Sequence, residues 1–510
     1  MLSCDIMLSF KISTFKERSP RMIRFTNRPE EANAITHAGK FHADDVFAIV
    51  LLEKIKENLV IYRVDQLLEE NIQSEAIVFD IGYGNFDHHQ KNGNGYHEKG
   101  NESKKAIPYA AFGLLWNHFG MELCEKLYPE NPVELWKEFE HSLVLGIDAI
   151  DNGIYPTTPI EYENHKVTTI SNLISGFNDI KNPLEAIAKA IEYAKFVFDI
   201  KIKLAIAKLN NKAYDATLGI NIENIFSQIL LKNIFSSRFT YRLHHEPPKK
   251  HTKKLPIPKS SFGKVWSDYG KNYAYSLHRD DNAPFYIWNF INDYLITGFD
   301  AYFNGIVPKS NYEYVSYDCL SIMSFLDSFN FLIDSSDSYY FFKDKMFEIA
   351  NVMIDNTTKK AINRIKDRAY IESKIKDSQR REMSYSTSSQ HILVLDKYVH
   401  WSDWIARNET AKNIWFVIYP SNRGGFEIRS VPFKQTLNGY RKGFPRRLWG
   451  LNGDELKKAT NLSSVIFVHA TGFTAATDTL EDAIKLAELS FNHEENMRKD
   501  EINWNTLKIS

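Results

Sequence analysis

From Ala34 to Gly82 the chain alternates two kinds of apolar pattern. A short strand-like run leads into THAGKFHADD, VFAIVLLEKI carries apolar residues at helical spacing, and NLVIYRV reads as a buried strand. DQLLEENI then reads as a short helix and EAIVFDIG as another buried strand. Strand, helix, strand, helix, strand with short links implies a parallel, doubly wound α/β sheet. Sheets of this kind bind ligands at the carboxyl ends of their strands. His37 directly follows the first of these strands, and Asp80 closes the third.

Beyond Asp87-His88-His89 the periodicity becomes helical, through IPYAAFGLLWNHFG, VELWKEFEHSLVLGIDAIDNG and PLEAIAKAIEYAKFVFDIKIKLAIAKL. Part of this helical stretch recurs. The segment from Ala110 to Asn178 reads again from Ser260 to Asn330, with Phe112-Gly113 matching Phe262-Gly263, Trp116 matching Trp266, Trp136 matching Trp288 and Asn152-Gly153 matching Asn304-Gly305. Two copies of this length are too long and too few for a solenoid, so the pattern predicts a duplicated helical segment. Between the copies HHEPPKKHTKKLPIPKSS is rich in Pro and Lys and reads as an exposed linker. A polar break near KIKDSQRREMSYSTSSQ precedes a last block with a hairpin around Asn422 to Gly425, a strand in SSVIFVHATGF and a helix in LEDAIKLAELSF. The expected division is an extension over 1–22, a metal-binding catalytic domain over 23–235, a linker over 236–259, a degenerate copy of segment 110–225 over 260–378, and a small α/β domain over 390–510.

Composition narrows the partners. The 510 residues carry 63 Lys plus Arg against 64 Asp plus Glu, so no long-range positive field draws in nucleic acid and any polyanion site is local. The cysteines, Cys4, Cys124 and Cys319, are scattered, which argues against a disulfide framework and a thiolate zinc site and fits a reducing, cytoplasmic compartment. No apolar run approaches the ~20 residues of a membrane span. The stretch before Met22 shows no secretory pattern, and reads as a weak targeting segment or, in preference, as an extension upstream of a start at Met22.

Four acidic or imidazole clusters fall within the first 151 residues: His37, His42, Asp44 and Asp45; Asp80; Asp87, His88 and His89; and Asp148 with Asp151. Singly, each has an ordinary explanation as a cap, turn or solvated loop. Their order at the carboxyl edge of one sheet makes convergence the better reading. A mixed Asp/His set without Cys suits Mn²⁺ or Mg²⁺, and carboxylates in the first turn before VFAIVLLEKI sit at a helix N-terminus.

ITHAGKFHADDVFA, VFDIGYGNFDHHQ, PYAAFGLLWNHFG and LGIDAIDNGI together resemble the MYG family, metal-dependent nucleases related to the DHH phosphoesterases. FVIYPSNRGGFEIRSVP, RKGFPRRLWG and HATGFTAATDTLEDAIKLA resemble that family's C-terminal region. The resemblance implies a DHH-like domain with two Mn²⁺ or Mg²⁺ ions and a two-metal-activated water. His37, His42, Asp44, Asp80, His88 and Asp148 would be the metal set, with Asp80 bridging, and Asp87, His89 and Asp151 the catalytic set, with His89 at the scissile phosphate. It implies a phosphodiester hydrolase, most simply a 3′–5′ exonuclease on RNA or single-stranded nucleic acid. Arg423, Gly424, Gly425, Arg441, Lys442, Arg446, Arg447, His469 and Gly472 in the last block would grip the substrate.

The second copy keeps Asp148 as Asp300 but replaces Asp151 by Phe303, and it has no partner for His37, Asp80 or the His pair, so it cannot form a second two-metal site. It is expected to serve as an inert module, a wall over the substrate channel, or an internal stand-in for a dimer partner, which would make the protein a monomer in place of a homodimer. Two other functions share some of these features: a small-molecule phosphoesterase akin to pyrophosphatases, and a non-catalytic nucleic-acid-binding scaffold. His244-His245, in contrast to His88-His89, runs into Pro and Lys with no strand behind it and reads as linker.

Overall fold

One of the two inner strands of the first sheet is AITH, buried along its whole length, as a strand covered on both faces requires. In a computed structural model the chain forms two units, Met1–Ala361 and Ile362–Ser510, whose boundary falls inside a 47-residue helix. The structure describes residues 22–65, 67, 75–82, 84–90, 93–97, 104–159, 161–162, 165–210, 219–236, 255–279, 283–382, 391–421, 424–433, 439–469 and 471–491. The stretch before Met22, most of DQLLEENI, the histidine pair at 244–245 and Arg423 lie outside these.

The first unit opens with β1 (Met22–Thr26), β2 (Ala34–His37), α1 (Ala43–Ile55), β3 (Asn58–Val64) and β4 (Ile77–Val78). All pairings are parallel, in the order β1-β3-β2-β4. The chain leaves β2 through α1 to β3 on one side, and returns to β4 on the other. The strand order therefore reverses at β2, and it is past the carboxyl ends of the strands at such a switch point that sheets of this kind form their ligand crevice. Strand β1 precedes the point at which the apolar alternation was expected to begin. EAIVFDIG forms a shorter strand than its pattern suggests, because Asp80 turns the chain with a left-handed φ of 56°. That conformation strains a residue with a Cβ and occurs mainly where the surroundings demand it.

Helix α1 is buried from Ala43 through Glu53, and it packs against α2 (Ala111–Leu127) and α6 (Pro183–Leu209). Between these lie α3 (Pro132–Phe139), a π-helical turn at Glu140–Val144, α4 (Leu145–Asp151) and α5 (Ile170–Gly176). After α7 (Ile222–Ser236) come α8 (Ser261–Leu277), α9 (Ala283–Ile291), a π-helical turn at Asn292–Ile296, α10 (Thr297–Phe303), α11 (Ile322–Asp327) and the long α12 (Ser336–Glu382).

The second unit has β5 (Ile392–Val394), α13 (Ser402–Arg407), β6 (Phe416–Pro420), β7 (Phe426–Ser430), α14 (Gly453–Thr460), β8 (Val465–Val468), β9 (Thr474–Thr477) and α15 (Leu480–Glu488). Its sheet is mixed, in the order β5-β6-β7-β9-β8, with β5 parallel to β6 and the rest antiparallel. The β6–β7 hairpin, the β8 strand and the α15 helix stand where the sequence pattern puts them. One face is filled by Phe416, Ile418, Ile428, Val465, Ala475 and Leu486. No helix among the described residues is long and apolar enough to cross a membrane.

Candidate metal centre

His37 ends β2 with its Nδ1 2.8 Å from the Ala38 carbonyl oxygen. The ring's Nε2 lies 3.2 Å from Asp45 Oδ2 and 3.1 Å from Asp80 Oδ2. Asp44 and Asp45 occupy the first turn of α1, where the helix N-terminus favours carboxylates. Asp45 Oδ1 reaches back to accept the His42 backbone N–H at 2.9 Å. His88 spans the gap to α4, with Nδ1 3.4 Å from Asp80 Oδ1 and Nε2 3.1 Å from Asp151 Oδ2. Asp151 Oδ1 lies 3.9 Å from His42 Nδ1. Asp87 Oδ1 accepts the backbone N–H of His89 at 3.1 Å and sits 2.7 Å from its Nδ1. The rings of His88 and His89 stack with centroids 4.3 Å apart.

Three sets of ligand atoms result, each within 4.8 Å: His37, Asp45 and Asp80; Asp80, Asp87, His88 and His89; and His42, Asp44 and Asp151. Asp80 belongs to two of them. Both oxygens of Asp44, Asp45 Oδ2, Asp80 Oδ1 and His88 Nδ1 are buried and make no well-formed hydrogen bond. Buried polar atoms short of good hydrogen bonds are costly, so a convergent set of them suits a cation. The donors are carboxylate oxygen and imidazole nitrogen, a set suited to a hard divalent ion.

The electrostatics show the same need for positive charge. Burial holds the Asp44 carboxyl well above the usual carboxylate range, and the charges of Asp151, Asp80 and Asp45 add to it. Burial alone would lower His37, but the adjoining Asp45 and Asp80 outweigh it and push the imidazole up to about 10. His88 is raised in the same way, by Asp151 and Asp80 against its burial. Burial would raise Asp151, but contact with His88 holds it low. The buried carboxylates thus favour positive charge beside them, and metal binding at such a site is coupled to proton release.

Asp148 lies outside these sets. It is fully buried, and its Oδ2 accepts the Ala110 backbone N–H at 2.9 Å and lies 2.8 Å from His97 Nε2, while its Oδ1 accepts the Gly113 N–H at 3.2 Å. A Cβ on Gly113 would run into this carboxylate. Asp148 thus caps α2 and ties it to His97, whose Nδ1 is 2.9 Å from Glu140 Oε1. The sequence grouped Asp148 with Asp151 by spacing, and the two diverge because residues three apart on a short helix present different atoms to different neighbours. His97, which the sequence reading did not single out, could have been found only through this long-range pairing. Asp45 was visible in the first cluster, although its neighbour Asp44 was preferred as ligand.

In the second unit the expected substrate-binding residues separate. Arg441 donates to the carbonyl oxygens of Ala411, Ile414, Ile405 and Ala406, so its guanidinium is held by backbone. Arg447 donates to the Ala459 carbonyl at 3.0 Å, Arg446 lies 5.7 Å over the Trp449 ring, and Lys442 is buried. Gly424, Gly425 and Gly472 occupy turns with positive φ. His469 Nδ1 is 2.8 Å from Thr471 Oγ1, and its ring lies 4.9 Å from Phe473, which stacks on Tyr440 at 5.5 Å. Burial lowers the His469 imidazole, and the charge of Arg429 lowers it further. Arg429, on β7 with its Nε 3.1 Å from Glu427 Oε2, was not among the expected residues. The alternation of Glu427 and Arg429 along one strand face was the available signal.

The sequence profile of the family described as MYG1_exonuc, uncharacterised protein family UPF0160, matches residues 33–221 and 236–491. The chain belongs to this family. Among its members, the MYG1 protein of Saccharomyces cerevisiae is 31% identical over 106 residues, covering 20% of this chain and 31% of the yeast one. The Schizosaccharomyces pombe MYG1 protein is 32% identical over 138 residues, 24% of this chain and 40% of that one. The human MYG1 exonuclease is 27% identical over 166 residues, 29% of this chain and 42% of its own. The aligned part thus spans less than half the length of each of these MYG relatives. No solved structure matches.

Proposed function

We propose that this MYG-family chain is a metal-dependent phosphodiester hydrolase of the exonuclease type, with a DHH-like first unit acting on RNA or another single-stranded nucleic acid. The observation that carries the reading is the convergence of the three acidic and imidazole sets on the carboxyl edge of the parallel sheet, with buried carboxylate oxygens that make no well-formed hydrogen bond. His37, Asp45 and Asp80 would hold one cation and Asp80, Asp87 and His88 a second, with Asp44, Asp151 and His42 completing the cluster. Two divalent ions in such a cluster would supply an activated water and neutralise charge on the phosphate.

The chain's own groups do the remainder. His89 is half exposed, at 48%, and its Nδ1 is committed to Asp87, which leaves Nε2 to contact a phosphate oxygen or give a proton to the leaving oxygen. Asp151 holds the His88 ring in line with Asp80. Asp148 positions: by capping α2 and holding His97 it fixes the start of α4, and it touches no reacting atom. The human relative is named an exonuclease, which supports a nucleic-acid substrate for this chain. In the second unit Arg429, Tyr440, Phe473 and His469 supply the combination of cation and flat aromatic rings that holds single strands by stacking and charge.

The test is turnover of a 5′-labelled RNA oligonucleotide with Mn²⁺ or Mg²⁺, beside pyrophosphate and the Asp80→Asn variant. Stepwise shortening of the RNA that EDTA and Asp80→Asn both abolish is expected. Release of phosphate from pyrophosphate with intact RNA would favour a small-molecule phosphoesterase, and no turnover of either by protein that binds metal would overturn the proposal.

A further inference from the structure

Residues 110–178 and 260–330 do more than resemble each other in sequence: they contact each other through equivalent residues. Thr157 and Lys309, 152 positions apart, exchange both backbone hydrogen bonds at 2.9 Å in an antiparallel bridge. Thr169 and Ser321, at the same spacing, form a second antiparallel bridge, flanked by Ile170 N–H to the Leu320 carbonyl and Ile322 N–H to the Thr168 carbonyl, each at 2.9 Å. Lys105 pairs with Tyr314 in parallel, and Leu255 pairs with Tyr162 in parallel. Lys105 precedes Ala110 as Leu255 precedes Ser260, so these two bridges are one contact made twice with the roles exchanged.

Close packing repeats the exchange. A Cβ on Gly146 would run into the carbonyl oxygen of Asp318, and a Cβ on Gly298 into that of Lys166. Gly146 and Gly298 are equivalent positions, and so are Lys166 and Asp318. The uncommon π-helical turns stand at matching places too, Glu140–Val144 and Asn292–Ile296. When residue i of one copy touches residue j of the other and the converse also holds, the contact is isologous, as across the two-fold axis of a homodimer. The contact is also a core: Ala149 and Ile154 of the first copy, with Ile107 just ahead of it, pack with Tyr314, Val315 and Tyr317 from the second.

We propose that the second segment is a duplicate of the first that occupies, within one chain, the place of a second subunit, so the protein works as a monomer with a single catalytic centre. The duplicate retains what this contact and its own packing need, and drops the rest. Asp300 keeps the capping role of Asp148, accepting the N–H and hydroxyl of Ser260 at the start of α8, whereas Phe303 stands in place of Asp151. The glycine that lets the carboxylate approach is kept as well, Gly263 for Gly113.

The test combines sedimentation of the full chain with an engineered cross-link. Thr157 and Lys309 lie at the surface in a hydrogen-bonded antiparallel pair, whose Cα separation of ~5.5 Å suits a disulfide. In a Cys4→Ser background the T157C/K309C protein offers this pair. Burial pushes the Cys124 thiol up to about 12 and the Cys319 thiol up to about 11, so neither competes. Mild oxidation is expected to consume two thiols and to leave one chain, with the 157–309 link found by peptide mass mapping. The unmodified protein is expected to sediment as a single species of 59.2 kDa at micromolar concentrations. A stable dimer, a disulfide between chains, or thiols that stay free under oxidation would overturn the proposal.

Discussion

Asp148 and Asp151 lie on the same short helix, yet their replacement by Asn should have opposite consequences. Asp148 accepts two backbone N–H groups and faces His97, at 2.9, 3.2 and 2.8 Å, with no exposed surface. Hydrogen bonds to a charged group contribute about 1.5–3 kcal/mol each, and removing one partner of a buried ion pair costs about 3–5 kcal/mol. Asp148→Asn keeps the shape but turns an acceptor into a donor facing other donors. A loss of about 3–5 kcal/mol is expected, without loss of metal affinity in protein that remains folded. Asp151→Asn removes one of the charges that raise Asp44 and also loses the contact with His88. These effects oppose each other, so the metal-free stability should stay within about 1 kcal/mol of the parent, as for a substitution that creates no cavity. Its Mn²⁺ affinity should fall by a factor on the order of 100, at the upper end of what loss of a supporting metal-site group costs. Denaturant titration in EDTA and Mn²⁺ calorimetry on both variants make the comparison. The reasoning is refuted if Asp148→Asn is as stable as the parent but binds no metal, or if Asp151→Asn unfolds while its metal affinity is kept.

His97 should make stability depend on pH. Burial lowers its imidazole, but Asp148 and Glu140 outweigh this and raise it to about 9 from an ordinary 6.5. A raised folded-state value stabilises fully below pH 6.5 and is lost as pH rises through about 9, an effect on the order of 3 kcal/mol that His97→Gln should flatten in thermal melts between those limits. Arg441→Ala should lower the unfolding midpoint of the second unit, because four carbonyl oxygens lose their donor, at a cost of about 2–4 kcal/mol. Arg429→Ala should leave that midpoint nearly unchanged and weaken RNA binding about 5–100-fold, with a shallower salt dependence in fluorescence anisotropy.

Much of the first sheet was legible because its strands read as short apolar runs between turn signals, β2 being buried throughout, and because the helix between β2 and β3 shows a different period. β1 was not anticipated: MIRFT is an edge strand with Arg24 at its centre, and only its pairing with β3 distinguishes it from loop. The clusters around His37, Asp80 and His88 were legible as motifs, since strand ends fix where their side chains arrive. The division of labour between Asp148 and Asp151 was not, because it depends on His97 and on the N-terminus of α2, which are distant in sequence. The basic residues of the last block show the same limit. Clustering in RKGFPRR marked Arg441, whose partners are four carbonyl oxygens, and passed over Arg429, a lone arginine on a strand.

The central claim, that the crevice beyond β2 and β4 is a two-ion centre, is tested most directly by an anomalous-difference map from crystals soaked in Mn²⁺. Two peaks are predicted, one bounded by His37, Asp45 and Asp80 and the other by Asp80, Asp87 and His88, both lost in Asp80→Asn. No peak in this crevice, or a peak at Asp148 and His97, would contradict it.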